Sequence, residues 1–151
     1  MEIKQKNKIR ILLVDNDEMM RIYFQDVFWV HGDSNAYEIN MVSSLEEAEK
    51  RIMNKDTKPD TIFLDIMMSN IKGKEGSPSV QLEKSVAFIE KIKKDKDLSS
   101  IKIIIYSSQK EKVIKNIFHK MGVDGYLIKG ELMPKEIVDF TDKIHESNNK
   151  N

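Results

Sequence analysis

Short apolar runs alternate along the whole chain with longer stretches of helical periodicity, and this alternation limits the folds open to it. Ile9–Val14 (IRILLV) reads as a buried strand, and Tyr37–Val42 (YEINMV) alternates as a strand does. Thr61–Asp65 (TIFLD), Lys102–Tyr106 (KIIIY) and Gly125–Ile128 (GYLI) are three further strands. Between them, Glu18 to about Val30 places Met20, Tyr23, Phe24, Val27 and Phe28 on one side of a helix. Ser44-Leu45-Glu46-Glu47 has capping-box spacing and opens a helix to about Asn54. Leu82, Val86, Ile89 and Ile92 recur at helical spacing. Val113, Ile114, Ile117, Phe118 and Met121 stripe a fourth helix that Gly122 ends, and Pro134 starts a last one reaching about Glu146. From Ile66 to about Val80, Gly73, Gly76 and Pro78 interrupt any period, and the stretch reads as a loop. Five strands alternating with five helices imply an α/β fold, a parallel sheet covered on both faces.

A chain of 151 residues accommodates one such domain, taken here as residues 9–146 with an N-terminal extension (1–8) and a polar tail (147–151). Hydrophobic residues at 40% and charged residues at 33% describe a globular protein. Lys plus Arg and Asp plus Glu both number 25, so no net field draws nucleic acid, and no helix-turn-helix segment is left over. The apolar stretch Ile11–Val14 is too short for a signal-peptide core, and no run approaches the ~18 apolar residues of a membrane span. The absence of Cys excludes disulfides and thiolate metal sites. Together these features lead to the expectation of a cytoplasmic protein.

In an open doubly wound sheet, ligands bind beyond the carboxyl ends of the strands. There the sequence offers Asp15, Asn16 and Asp17 after the first strand, Asp65 at the end of the third, Ser107 and Ser108 after the fourth, and Lys129 after the fifth. Clustered carboxylates repel unless a cation offsets them, and an oxygen-only set without His or Cys suits a hard ion such as Mg2+. Lys129 adds a positive point charge, and Ser107 can donate to an oxyanion. Phosphoryl transfer to a carboxylate needs these parts: a nucleophile, a metal, and a cation or donors for the remaining charge. No G-x-x-x-x-G-K-[ST], G-x-G-x-x-G or G-x-S-x-G occurs, which removes the nucleotide-binding and hydrolase-elbow readings.

From Ile9 to about Ile144 the sequence resembles the receiver domain of two-component signalling, the chemotaxis-regulator type, which implies a flavodoxin-like sheet in the order 2-1-3-4-5. ILLVDND matches the first-strand motif whose adjacent acids hold Mg2+, and these positions fall on Asp15 and Asn16. FLDIMM followed by Gly73 matches the phosphoacceptor motif, with the acceptor at Asp65 and a metal-binding backbone carbonyl at Met67. IIIYSS implies a switch hydroxyl at Ser107, and GYLIKGE a switch aromatic at Tyr126 and the site lysine at Lys129. Four such motifs, in order and at consistent intervals, are specific where each alone is weak.

The chain departs from this pattern at four places. Asn16 stands where a second acid is usual, which implies weaker Mg2+ binding, with Asp17 as a neighbouring acid able to offset the loss. Ser69 and Gly130 replace prolines and imply looser loops, and the stretch between Gly73 and Leu82 is longer than usual. Asp17 reads equally as a helix N-cap and as a metal helper. Ser108 with Glu111 has capping-box spacing, which makes Ser108 structural and leaves Ser107 as the functional hydroxyl. Met19–Met20 and Met67–Met68 read as gap-filling core or loop packing. His31, His119 and His145 lie at helix ends that favour a cation, with no ligand spacing among them. Lys91, Lys93, Lys94 and Lys96 read as a solvated face.

The resemblance implies that Asp65 takes a phosphoryl group from a sensor histidine kinase or a phosphotransfer protein. Ser107 then moves toward the phosphoryl group and Tyr126 turns inward, changing a surface of the fourth helix, fifth strand and fifth helix that binds a separate target. It leaves open whether the activated chain forms a homodimer. One rival is a haloacid-dehalogenase-type phosphatase using Asp15 as nucleophile and Asp17 as acid; that reading lacks the acidic pair needed after Lys129. A second rival is a pseudo-receiver that is never phosphorylated, suggested by Asn16.

Overall fold

The computed structural model describes residues 8–33, 35–66 and 78–146, with side chains in the last stretch from residue 80 onward. The strands are β1 (Ile9–Val14), β2 (Tyr37–Val42), β3 (Thr61–Leu64), β4 (Lys102–Ser107) and β5 (Gly125–Ile128). All pair in parallel, in one sheet of order β2-β1-β3-β4-β5. The helices are α1 (Glu18–His31), α2 (Leu45–Met53), α3 (Pro78–Lys94), α4 (Lys112–Lys120) and α5 (Pro134–Glu146).

Side chains alternate across a strand, so each apolar run supplies two cores. Leu12, Val14, Ile62, Leu64, Ile103 and Ile105 face α2, α3 and α4, meeting Ile52, Ile89 and Phe118. Ile11, Leu13, Phe63, Ile104 and Tyr106 face the opposite layer of α1 and α5, meeting Phe24, Phe28 and Val138. The continuous apolar runs follow from this arrangement, because both faces of the central strands are covered. In the second core Phe24 meets Phe63 edge-on at a centroid separation of 4.9 Å, and Phe63 meets Tyr106 at 6.2 Å. Gly125 opens β5 where an added Cβ would lie 2.5 Å from the Phe140 ring, so α5 packs against bare backbone there.

Helix starts follow the capping residues. Asp17 caps α1, its Oδ1 accepting from the N–H groups of Met19 at 2.9 Å and Met20 at 3.4 Å. Ser44 caps α2 by accepting from Glu47 N–H at 3.2 Å. The Glu47 carboxylate returns to Ser43 instead of to the cap, accepting from its N–H at 2.8 Å and its hydroxyl at 3.0 Å.

Several expectations change. The loop expected to reach Val80 gives way to α3 at Pro78, a proline being suited to a first helical turn; Met67, Met68, Ser69, Gly73 and Gly76 lie outside the described residues. Tyr23 and Val113, placed by periodicity on core-facing stripes, are 38% and 70% exposed, and Met19 is 72% exposed rather than packed. Ser108 is exposed and does not cap α4, which begins after Glu111 without a side-chain cap. His145 sits against Thr61, its Nε2 2.6 Å from Oγ1, and burial lowers its pKa, so this helix end does not favour a cation. Lys91, Lys94 and Lys96 are exposed as expected, Lys93 is half-buried, and Lys91 pairs with Glu49 at 3.7 Å. Among the described residues no helix is long and apolar enough to cross a membrane.

Candidate functional site

Parallel pairing brings the strand ends level. Asp15 is the residue after β1, its N–H donating to the Val42 carbonyl at 3.0 Å; Asp65 follows β3, its N–H donating to the Val14 carbonyl at 3.0 Å. Lys129 follows β5, its N–H donating to the Ser107 carbonyl at 2.9 Å. Three residues distant in the chain therefore share one sheet edge, held by backbone bonds rather than by loops.

Their side chains meet. The Lys129 ammonium lies 2.6 Å from Asp15 Oδ2 and 3.0 Å from Asp65 Oδ2, and both acids are buried, at 0% and 5% exposure. Asp15 Oδ1 accepts from Asp17 N–H at 2.9 Å, and Arg21 donates to the Asp15 carbonyl at 2.8 Å, so the β1–α1 turn is bound from two sides. Burial pushes the Asp15 carboxyl above its ordinary value, and the Lys129 hydrogen bond offsets that only in part. Burial opposes the charge on Lys129, but Asp65 and Asp15 together outweigh it and hold its pKa above the usual value. Among the described residues, the two buried carboxylates share the Lys129 ammonium. Paired carboxylate oxygens with no His or Cys beside them suit a hard divalent cation. Among the described residues, no group of three or more His, Cys, Asp or Glu side chains is placed to hold a metal ion. Asp17 is engaged in the helix cap.

The remaining expected residues are distributed around this centre. Asn16 is half-buried and lines a cavity with Ser44, Glu46, Gln81 and Phe88. Ser107 closes β4, fully buried, its Oγ accepting from Gln109 N–H at 3.2 Å. Tyr126 is half-buried beside the core under α4, and its hydroxyl donates to the Gln109 carbonyl at 2.7 Å. Burial, and then the charge of Asp65, push the Tyr126 phenol up to about 12. Met67, expected to offer a carbonyl, lies outside the described residues. Gly130 adopts φ 85°, a conformation closed to the proline expected there, so the turn after Lys129 takes its own path.

Sequence reasoning missed two residues. Gln109 ties Ser107 to Tyr126 through its backbone N–H and C=O, and Arg21 holds the Asp15 carbonyl. No sequence signal marks Gln109, because any residue has the same backbone groups. Arg21 lies six positions from Asp15, with nothing in the spacing to link them.

The family model for the response regulator receiver domain matches residues 11–141. The chain is 27% identical over 138 residues to response regulator protein VraR of Staphylococcus aureus, covering 89% of this chain and 56% of VraR, so it spans about half the length of that relative. Its fold is similar to that of a CheY-like receiver domain protein from Methanospirillum hungatei, with TM-score 0.71, 18% identity and coverage of 96% and 100% of the two chains. It is also similar to the phosphorylated cyanobacterial phytochrome response regulator RcpA, with TM-score 0.63, 20% identity and 93% of each chain covered.

Proposed function

The chain belongs to the response regulator receiver domain family of two-component systems, and from that premise we propose that Asp65 is its phosphoacceptor. The observation that carries this reading is the Lys129 ammonium reaching both Asp15 and Asp65, two buried carboxylates at the carboxyl edge of the sheet. A carboxylate oxygen of Asp65 attacks the phosphorus of a phosphohistidine on a sensor kinase or phosphotransfer protein. The new O–P bond forms as the P–N bond breaks, and the leaving imidazole nitrogen keeps the electron pair and takes up a proton. Lys129, already beside Asp65, moves with the charge onto the phosphoryl oxygens. Asp15, Asp65, Asn16 and the Met67 carbonyl are the groups that would hold Mg2+. When bound, that ion supplies neutralisation of phosphoryl charge.

Ser107 turns its hydroxyl from Gln109 toward the phosphoryl group, freeing the Gln109 N–H. Since Tyr126 holds the same residue's carbonyl, the shift passes to the α4–β5–α5 surface, where a target protein binds. The chain acts as a switch, with no reaction beyond taking and losing its own phosphoryl group. The similarity to a phosphorylated relative supports this reading at the level of fold.

Incubation with acetyl phosphate and Mg2+, followed by intact-mass and peptide mapping, tests it. One phosphoryl group on Asp65, absent from Asp65→Asn, is the expected result. A phosphoryl group on Asp15 would favour the phosphatase reading. No labelling, under conditions that label another receiver, would favour a pseudo-receiver, the reading that Asn16 suggests.

A further inference from the structure

Lys129 touches more than its two carboxylates. In the β4–β5 register Tyr106 stands opposite Leu127, and Lys129 follows two residues later on the same face of the pleat. Its ammonium lies over the Tyr106 ring, 5.8 Å from the centroid, inside the ~6 Å at which an aromatic face draws a cation. Tyr106 is 2% exposed and the Lys129 side chain 15%, and such a contact strengthens as water leaves it. The ring is itself held, with Phe24 at 6.0 Å and Phe63 edge-on at 6.2 Å between centroids. Burial, and then Tyr23 and Asp15, keep its phenol above the ordinary value, so the ring meets Lys129 as a neutral group.

We propose that Tyr106 is a positioning residue for phosphoryl acceptance, its ring face fixing the Lys129 ammonium between Asp15 and Asp65. This role rests on the reading of Asp65 as the phosphoacceptor. Lys129 has to serve two arrangements of charge, the carboxylates before transfer and the phosphoryl oxygens after it. A further carboxylate would anchor the ammonium with a negative charge that competes with the phosphoryl group. A neutral ring attracts the cation through its quadrupole and brings no such competitor. An aliphatic side chain of similar bulk would fill the same space and leave the ammonium to swing between the two acids. The device is therefore the electrostatics of the ring face, separable from the volume that the ring contributes to the core and from its hydroxyl.

The placement is read first by proton NMR in Mg2+-free buffer, where a methylene over a ring face is shifted upfield by the ring current. The Lys129 Cε protons are expected upfield in wild type and in Tyr106→Phe, and at their ordinary position in Tyr106→Leu. Labelling by acetyl phosphate with Mg2+ is then expected to keep its rate in Tyr106→Phe and to slow by about 10-fold in Tyr106→Leu. Circular dichroism checks that each variant is folded. Should Tyr106→Leu unfold, difluorophenylalanine and pentafluorophenylalanine placed at position 106 keep the ring's bulk while draining its negative face. Labelling is expected to slow stepwise along that pair relative to Tyr106→Phe, which a purely space-filling ring would not produce. Absence of the upfield shift in wild type would overturn the proposal, as would a folded Tyr106→Leu that labels at the wild-type rate. Labelling of Asp65 at a rate indifferent to fluorination would overturn the role of Tyr106 alone. A wild type that takes up no phosphoryl group would remove the Asp65 reading and this role with it.

Discussion

Lys129 is the residue on which the acidic centre depends, because among the described residues its ammonium reaches both carboxylates that the sheet has taken out of water. Replacing it by Met keeps the bulk of the stem and removes the charge, leaving Asp15 and Asp65 facing each other. Removing one member of a buried charge set costs about 3 kcal/mol or more. Urea unfolding of Lys129→Met in Mg2+-free buffer at neutral pH is expected to show a loss of that size, shrinking as Asp15, whose pKa burial raises, is protonated. Asp15 itself has the opposite sign. Its pKa in the folded chain is raised above the ordinary 3.8, so between those two values the folded state keeps a proton that the unfolded state has lost. Stability conferred at this position therefore falls as pH rises through that window. Asp15→Asn does not titrate. Its stability relative to wild type is expected to increase from pH ~4 toward neutrality in Mg2+-free buffer, and parallel unfolding curves across that range check it.

Two elements show how local chemistry becomes position. Helix α2 begins where Ser44 accepts the Glu47 N–H, and this start sets the wall of the cavity that Asn16 lines. Ser44→Ala is expected to lower stability by about 1 kcal/mol, measured by thermal or urea unfolding, with phosphoryl acceptance retained. The β4–α4 connection works differently, because α4 has no side-chain cap and the segment before it hangs on Gln109. Gln109 Oε1 also accepts from Glu111 N–H at 2.9 Å and Lys110 pairs with Glu131 at 2.7 Å, but the two backbone groups of Gln109 are what join Ser107 to Tyr126, which suits the segment to carry a signal between them.

At the scale of the molecule, the sheet separates two cores of different texture. The layer under α2, α3 and α4 is mainly aliphatic, and the layer under α1 and α5 is built on Phe24, Phe28, Phe63, Tyr37 and Tyr106 in tilted and edge-on contacts. Phe24 is fully buried and touches Phe28, Phe63 and Tyr106, so neighbouring rings leave little room to collapse into its space. Phe24→Ala is expected to cost about 3–5 kcal/mol in urea unfolding. Phe24 packs on Tyr106, and the Lys129 ammonium lies 5.8 Å from the centroid of that ring, so the acidic centre rests on this same core.

The strands and most helix limits were legible in the sequence because period-2 and period-3.6 patterns, the caps at Asp17 and Ser44, and Pro134 are local signals. Strand ends also nominated Asp15, Asp65, Ser107 and Lys129 as neighbours, since parallel strands in such a sheet deliver their carboxyl ends to one edge. What the chain alone left open depended on distance between segments. The sharing of one ammonium by two acids, the bridge through Gln109, and the direction of the Asp15 shift are consequences of burial and approach that no spacing encodes. Periodicity identified an apolar stripe on α1 but placed Tyr23 on the covered side. Only the packed sheet decided that Tyr23 and Met19 face water, because which arc of a helix is buried depends on the surface it meets.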